Sequence, residues 1–170
     1  MRLELENLER DGAFARTYAP DELSLQEKDL RLIEPAVVRG RASCKAGEVE
    51  VSGTLKAKVE TLCARCLKPV AVPISSDFSE RFVKAVSWRS EEQHELNCED
   101  LNLAVFDGEM IDLDQLVREE ILLAIPTQVL CREDCKGLCA ICGADRNLTN
   151  CECETRRVDS RWEKLKDLRF

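Results

Sequence analysis

The sequence predicts an α+β protein: a mainly antiparallel β-sheet or open barrel, followed by one strong helix and a C-terminal cysteine-rich zinc-binding module. Three patterns support this fold class. Apolar and polar residues alternate between Val49 and Glu60, which is typical of a half-buried strand. Apolar residues recur at helical spacing between Leu113 and Ile125. Six cysteines crowd residues 131–153, a density that indicates metal binding.

Strand patterns fill most of the first 86 residues. The residues before position 36 predict one strand and a variable connection. The β-rich segment 36–44 leads through a turn into the alternating strand 49–60. Val70, Val72 and Ile74 then alternate, and a looser pattern over 78–86 predicts a further strand. No helical pattern separates these strands, so we expect mostly antiparallel neighbours.

The interval 90–111 is acidic and contains no Lys or Arg. We expect a solvated connection that aids solubility. The alternative is a docking surface for a basic partner such as a ribosomal protein.

The strong helix is predicted over residues 112–125. Asp112 can cap its first turn, and Pro126 stops it. Leu122 and Leu123 broaden its apolar stripe, so the expected role of this helix is packing. It ends the predicted β-rich domain, residues 1–130, and leads into the zinc-binding module, residues 131–170.

Charge and composition exclude some classes of protein. The net charge is −8, with 16 Lys/Arg against 25 Asp/Glu in residues 1–130 and 9 against 8 in residues 131–170. A protein that mainly grips bare nucleic acid would be basic instead. The start of the chain has no signal-peptide pattern, and no apolar run reaches the roughly 20 residues of a membrane span. We therefore expect a cytoplasmic protein with reduced thiols.

Eight of the ten cysteines form pairs at the spacing of metal ligands, enough for one or two structural zinc ions. The short loop after Cys142 favours one self-contained site made by the last four. The first two pairs would then form a second, long-range site that stabilises only the folded state. The pairs are Cys63 and Cys66, Cys131 and Cys135, Cys139 and Cys142, and Cys151 and Cys153.

The other candidate residues have simpler interpretations. Cys44 lies in a strand pattern and is predicted to be a small core residue. Cys98 is expected to be a free thiol, and His94 a solvated loop residue. Ser160 begins a predicted short terminal helix that is rich in Lys and Arg. We expect a solvated amphipathic end, and the alternative is a contact to RNA phosphate.

The ordered motifs resemble those of the YceD-like family of large ribosomal RNA subunit accumulation proteins. They are Cys63-Ala-Arg-Cys66, the helix that ends at Pro126, and the run from Cys131 through Cys142-Gly143 to Cys153. The resemblance implies a non-enzymatic factor that promotes accumulation of large-subunit (23S) ribosomal RNA. Its expected partner is the large-subunit precursor, reached through basic ribosomal proteins. No membrane partner is expected. Three places depart from the family's usual pattern: Ala140, residues 145–147 and Ser160.

Enzyme classes find no support, because the sequence has no Cys/His nucleophile pair, dinucleotide-binding motif or phosphate-binding loop. Two non-enzymatic alternatives stay open. In a redox-switched chaperone, oxidised thiolates would release zinc and expose a client surface. A zinc-ribbon accessory of transcription or translation would need a basic surface, yet acidic residues crowd this cysteine segment.

Overall fold

The computed structural model describes residues 2–4, 12–45, 48–85, 103–106, 110–153 and 161. Two compact units make up the chain. The first unit comprises Met1–Thr61 and Val70–Thr127, and the second comprises Leu62–Pro69 and Gln128–Phe170. The connection that carries Cys63 and Cys66 therefore belongs to the second unit, although it joins two strands of the first.

An open, mixed sheet of five strands forms the first unit, together with one helix and a two-stranded sheet. Strand β1 (Arg2–Glu4) pairs antiparallel with β7 (Met110–Asp112). The larger sheet has the order β2-β3-β4-β5-β6. Its strands are β2 (Gly12–Tyr18), β3 (Arg31–Lys45), β4 (Glu48–Leu62), β5 (Pro69–Lys84) and β6 (Leu103–Phe106). Strand β3 is antiparallel to both β2 and β4, whereas β5 and β6 are parallel.

The predicted fold class is confirmed, with corrections to individual strands. The start of the chain forms two strands, β1 and β2, where one was predicted. The sequence of β2 is only weakly apolar, so its alternation is not visible in the sequence. Strand β3 begins at Arg31, and its register shifts near Pro35, a residue that cannot donate to the ladder. The two predicted strands after Pro69 are one continuous strand, β5.

The acidic interval contains β6 and the first two residues of β7, where only a connection was predicted. Both strands are too short to show a period: β6 has four residues and β7 has three. Non-local pairing therefore defines them, with β5 and β1 as their partners.

The core of the first unit lies on one face of the sheet. The odd-numbered residues of β4 from Val49 to Val59 are buried there, except for Gly53. Gly53 is the register partner of Gly40 on β3. A Cβ atom on Gly53 would lie 2.4 Å from the Arg39 carbonyl oxygen and 2.9 Å from Cζ of Phe78. These two glycines therefore leave the space that aromatic rings occupy.

Helix α1 (Leu113–Ala124) packs on this core through Leu113, Leu116, Val117 and Ile121. As predicted, Asp112 caps it: the side chain accepts a hydrogen bond from Asp114 N. Asp114 in turn accepts a 2.7 Å hydrogen bond from the buried Tyr18 on β2. Leu123, predicted to widen the packed face, is 79% exposed.

Several predictions concern single residues. Cys44 is exposed, so its predicted core role is wrong: it is the register partner of the buried Val49, but it lies one residue before the end of β3, at the margin of the core. Cys98, His94 and nearly all of the predicted terminal helix lie outside the described residues. Within the described part of the chain, no helix has the length and apolar character needed to cross a bilayer.

Candidate metal centre

The second unit gathers eight thiols into two groups of four. In the first group, Cys63, Cys66, Cys131 and Cys135, all four sulfur atoms lie within 4.8 Å of one another. Cys63 Sγ is 3.9 Å from Cys135 Sγ, and Cys66 Sγ is 3.6 Å from Cys131 Sγ. We call this group the first tetrad.

These distances fit a tetrahedral metal site. Four thiolates about 2.3 Å from one Zn²⁺ would place neighbouring sulfurs about 3.8 Å apart. A disulfide would bring two sulfurs to about 2.05 Å, and every cysteine among the described residues is a free thiol. The first tetrad could therefore hold a metal ion, and its all-sulfur donor set suits zinc.

Cys139, Cys142, Cys151 and Cys153 form the second tetrad. Their sulfur atoms also lie within 4.8 Å of one another, so this group could hold a second ion. Only Cys139 is buried here, whereas three members of the first tetrad are. The two groups of thiols are those that the sequence predicts.

One backbone turn occurs in both tetrads. In each, the first cysteine of a Cys-x-x-Cys pair accepts a hydrogen bond from the amide four residues later, Leu67 N or Gly143 N, at 3.0 and 2.9 Å. Its own amide donates to the carbonyl five residues later, at 2.8 Å in both cases. Leu67 and Gly143 both have positive φ, 57° and 74°. Leu67 thus adopts a conformation that L-residues seldom take, which is typical of a constrained functional turn.

The turn also prepares a thiolate in each tetrad. Burial raises the pKa of Cys63, but the backbone amides of Cys66, Arg65 and Cys131 point toward its sulfur and lower that pKa to about 6. The amides of Cys142 and Ile141 likewise lower the pKa of Cys139 to about 6. Since the thiolate is the form that ligates a metal, one member of each tetrad is ready to bind near neutral pH.

Direct contacts join the connection 62–69 to the later segment. Ala64 N donates to Val129 O at 2.8 Å, and the Arg65 guanidinium donates to Cys135 O at 2.8 Å. Gly137, with φ +70°, lies so close that a Cβ there would be 2.8 Å from Arg65 O. These contacts align the two cysteine pairs of the first tetrad.

Asn147 organises the surroundings of the first tetrad. Its amide nitrogen donates to Cys135 Sγ at 3.5 Å and to Asp145 Oδ1 at 2.7 Å. Its amide oxygen accepts hydrogen bonds from Arg132 at 2.7 Å and from Lys136 N at 2.8 Å. In the sequence, residues 145–147 stand out only as a departure from the family's usual pattern. The signal that the sequence offered for this role was the position of an Asn between two pairs of candidate metal ligands.

Asp145 links this network to the connection 62–69. Lys68 Nζ lies 2.7 Å from Asp145 Oδ2, and this charge, together with the amide of Asn147, lowers the pKa of Asp145 to about 2. Asp145 therefore stays ionised at neutral pH and holds both Lys68 and Asn147. It is a positioning residue for the first tetrad.

Replacing Asn147 with alanine is expected to weaken metal binding by the first tetrad about tenfold, the usual range for groups that orient ligands. The loss follows because Cys135 Sγ and Lys136 N both lose a hydrogen-bond partner. Competition between the protein and a colorimetric zinc chelator measures the change. Asn150→Ala, in the same segment but outside this network, is the control. Equal zinc affinity in the two variants would contradict this role for Asn147.

The fold and the two tetrads define a class of protein: an open mixed sheet combined with a module of two four-cysteine groups that could each hold a metal ion. The family model described as "Large ribosomal RNA subunit accumulation protein YceD" matches residues 51–169, which include both tetrads. The chain belongs to the YceD family.

Curated relatives agree with this assignment. The chain is 31% identical to the uncharacterized protein YlbN of Bacillus subtilis over 91% of its own length and 86% of that protein. It is 32% identical to the uncharacterized protein Rv2926c of Mycobacterium tuberculosis over 71% of its own length, but it spans only 55% of that protein. It is 24% identical to the maize "Large ribosomal RNA subunit accumulation protein YCED homolog 1, chloroplastic", and it spans half of that protein. No solved structure matches the chain significantly.

Proposed function

We propose that this protein is a non-enzymatic, cytoplasmic ribosome-biogenesis factor that promotes accumulation of large-subunit (23S) ribosomal RNA. The family match carries this proposal, because the family is described by accumulation of the large ribosomal RNA subunit. The matched residues, 51–169, include every member of both tetrads. The names of the plant relatives, in maize and Arabidopsis, support the same role. Neither the redox-switched chaperone nor the zinc-ribbon accessory gains support from the family.

In this proposal both tetrads bind structural zinc. Each offers four protein thiolates, which fill a tetrahedral shell and leave no open position for water or substrate. Bound zinc would contribute folding free energy, since the four ligands converge only in the folded chain. The ions would thus fix the shape of the second unit and take no part in catalysis.

Charge suggests how the protein meets the large-subunit precursor. The first unit carries 14 Lys/Arg against 25 Asp/Glu, whereas the second carries 11 against 8. An acidic surface repels RNA phosphate and attracts basic proteins. We therefore assign the contact with basic ribosomal proteins to the first unit. Any direct contact with RNA belongs to the second unit.

Depletion of the protein in its native host is expected to lower 23S ribosomal RNA relative to 16S. Quantification of both RNAs from total RNA, with sucrose-gradient profiles of the subunits, measures the effect. A plasmid that supplies the parent protein or Cys44→Ser should restore the ratio, whereas Cys135→Ser or Cys139→Ser should not. An unchanged ratio after depletion would refute the proposed function, and full rescue by both ligand variants would refute the need for zinc.

A further inference from the structure

A groove of about 340 Å³ lies in the first unit, among strands β5, β6 and β7 and helix α1. We call it the acidic groove. It is lined by apolar side chains that include Phe82, Phe106 and Met110, and by the carboxylates of Glu80, Asp112 and Glu119. The Phe82 and Phe106 rings contact each other edge to face, with centroids 6.5 Å apart. Its volume is that of a pocket for side chains or small ligands, about 300–1,000 Å³.

The apolar part of this groove is unusually open to solvent. Val105 and Met110 both line it and are 47% and 44% exposed. Large apolar residues grouped in a concave site with polar neighbours are typical of a binding surface. The groove therefore has an apolar anchor site as well as charge.

The charge of the groove has one sign. No Lys or Arg is found among the described residues that line it. Burial raises the pKa of Glu80, and the nearby charge of Glu119 raises it further. Burial and the charge of Glu80 raise the pKa of Glu120 in the same way. These carboxylates repel one another, so a cationic partner would relieve an unfavourable interaction present in the free protein.

The groove also reaches the edge of the sheet. Three consecutive residues of β6, Ala104 to Phe106, line it, so the groove runs along this strand. Strand β6 is last in the order of the described sheet, so an extended polypeptide could pair with it.

We propose that the acidic groove binds an extended Lys/Arg-rich segment of a partner protein, in which apolar residues alternate with the basic ones. The apolar side chains would contact Phe82, Phe106 and Met110, while the basic ones would neutralise Glu80 and Glu119. RNA is the wrong occupant, because its phosphates would meet carboxylates. Only the identification of the partner as a basic protein of the assembling large subunit rests on the proposed function.

The test uses the full-length, zinc-loaded protein and a fluorescent peptide of roughly twelve residues with alternating Lys and Val, long enough to span a strand. Fluorescence anisotropy measures its Kd. Met110→Lys places a cation in the groove and is expected to raise the Kd at least about tenfold. Leu123→Lys, an equally apolar and more exposed site on helix α1 outside the groove, should leave the Kd within about twofold.

A second pair of variants tests the charge. Glu80→Gln/Glu119→Gln should weaken binding and flatten its dependence on salt, because both carboxylates face the peptide. Glu27→Gln/Glu50→Gln removes the same charge from exposed sites outside the groove and should have little effect. Equal weakening by the two double variants would show general charge attraction and overturn the proposal. Displacement of the peptide by single-stranded RNA, or no peptide binding, would also overturn it.

The two proposals fail separately. If depletion lowers 23S ribosomal RNA but the groove variants bind the peptide normally, only the groove assignment is lost. If the groove binds the peptide as expected but depletion leaves 23S ribosomal RNA unchanged, the proposed function fails and the docking surface stands.

Discussion

Cys135→Ser is expected to reduce bound zinc from two ions per chain to one and to destabilise the second unit. Cys135 is buried, 3.9 Å from Cys63 Sγ, and its loss leaves three thiols that no longer complete a tetrahedral shell. Loss of a metal site is among the largest effects of a single substitution, so we expect a loss of about 4 kcal/mol or more. Native mass spectrometry measures the zinc content, and limited proteolysis measures opening of the second unit.

Cys44→Ser is the matched control, because Cys44 is an exposed thiol outside both tetrads. This variant should keep two ions and the proteolysis pattern of the parent. Two ions in Cys135→Ser would show that this cysteine is not a ligand. A parent protein that binds no zinc under reducing conditions would contradict both proposed sites.

Gly53→Val is expected to destabilise the first unit by about 3 kcal/mol, the upper range for overpacking a core. Valine favours strands, so local propensity alone would predict the opposite sign. Packing decides here, because even a Cβ would lie 2.4 Å from Arg39 O and 2.8 Å from Gly40 Cα. Backbone atoms of β3 cannot move aside without breaking the ladder. Urea denaturation followed by tryptophan fluorescence or circular dichroism measures the change.

Glu50→Val introduces the same residue on the same strand, but at an exposed position on the opposite face. Its free energy of unfolding should stay within about 0.5 kcal/mol of the parent. A Gly53→Val protein as stable as Glu50→Val would show that β3 and β4 can separate to accept a side chain. The facing glycines would then have no packing role.

The sequence predicted the features that local spacing encodes. The alternation from Val49 to Val59 predicted β4, and the apolar stripe with Asp112 and Pro126 predicted helix α1 within one residue at its end. Cysteine spacing predicted which thiols lie together. Each of these signals is contained within a few neighbouring residues or a fixed ligand spacing.

Other features depend on residues far apart in the chain. Strand β6 has only four residues and pairs in parallel with β5, and Cys44 is exposed near the end of β3 although its strand pattern suggested burial. The role of Asn147 depends on Cys135 Sγ, Asp145 and Lys136 N meeting at one side chain. No period or motif in the sequence encodes these contacts between distant residues.

By itself, the sequence determined a strand-rich chain with one capped helix, an acidic character, and thiols spaced for two metal ions, because period, charge and ligand spacing are local properties. Only the tertiary structure decided that Gly40 faces Gly53 beneath aromatic rings, and that residues 62–69 join the second unit. Only the tertiary structure brings carboxylates and apolar side chains together in one groove. The physical reason is that close packing and charge repulsion act between neighbours in space, whatever their separation along the chain.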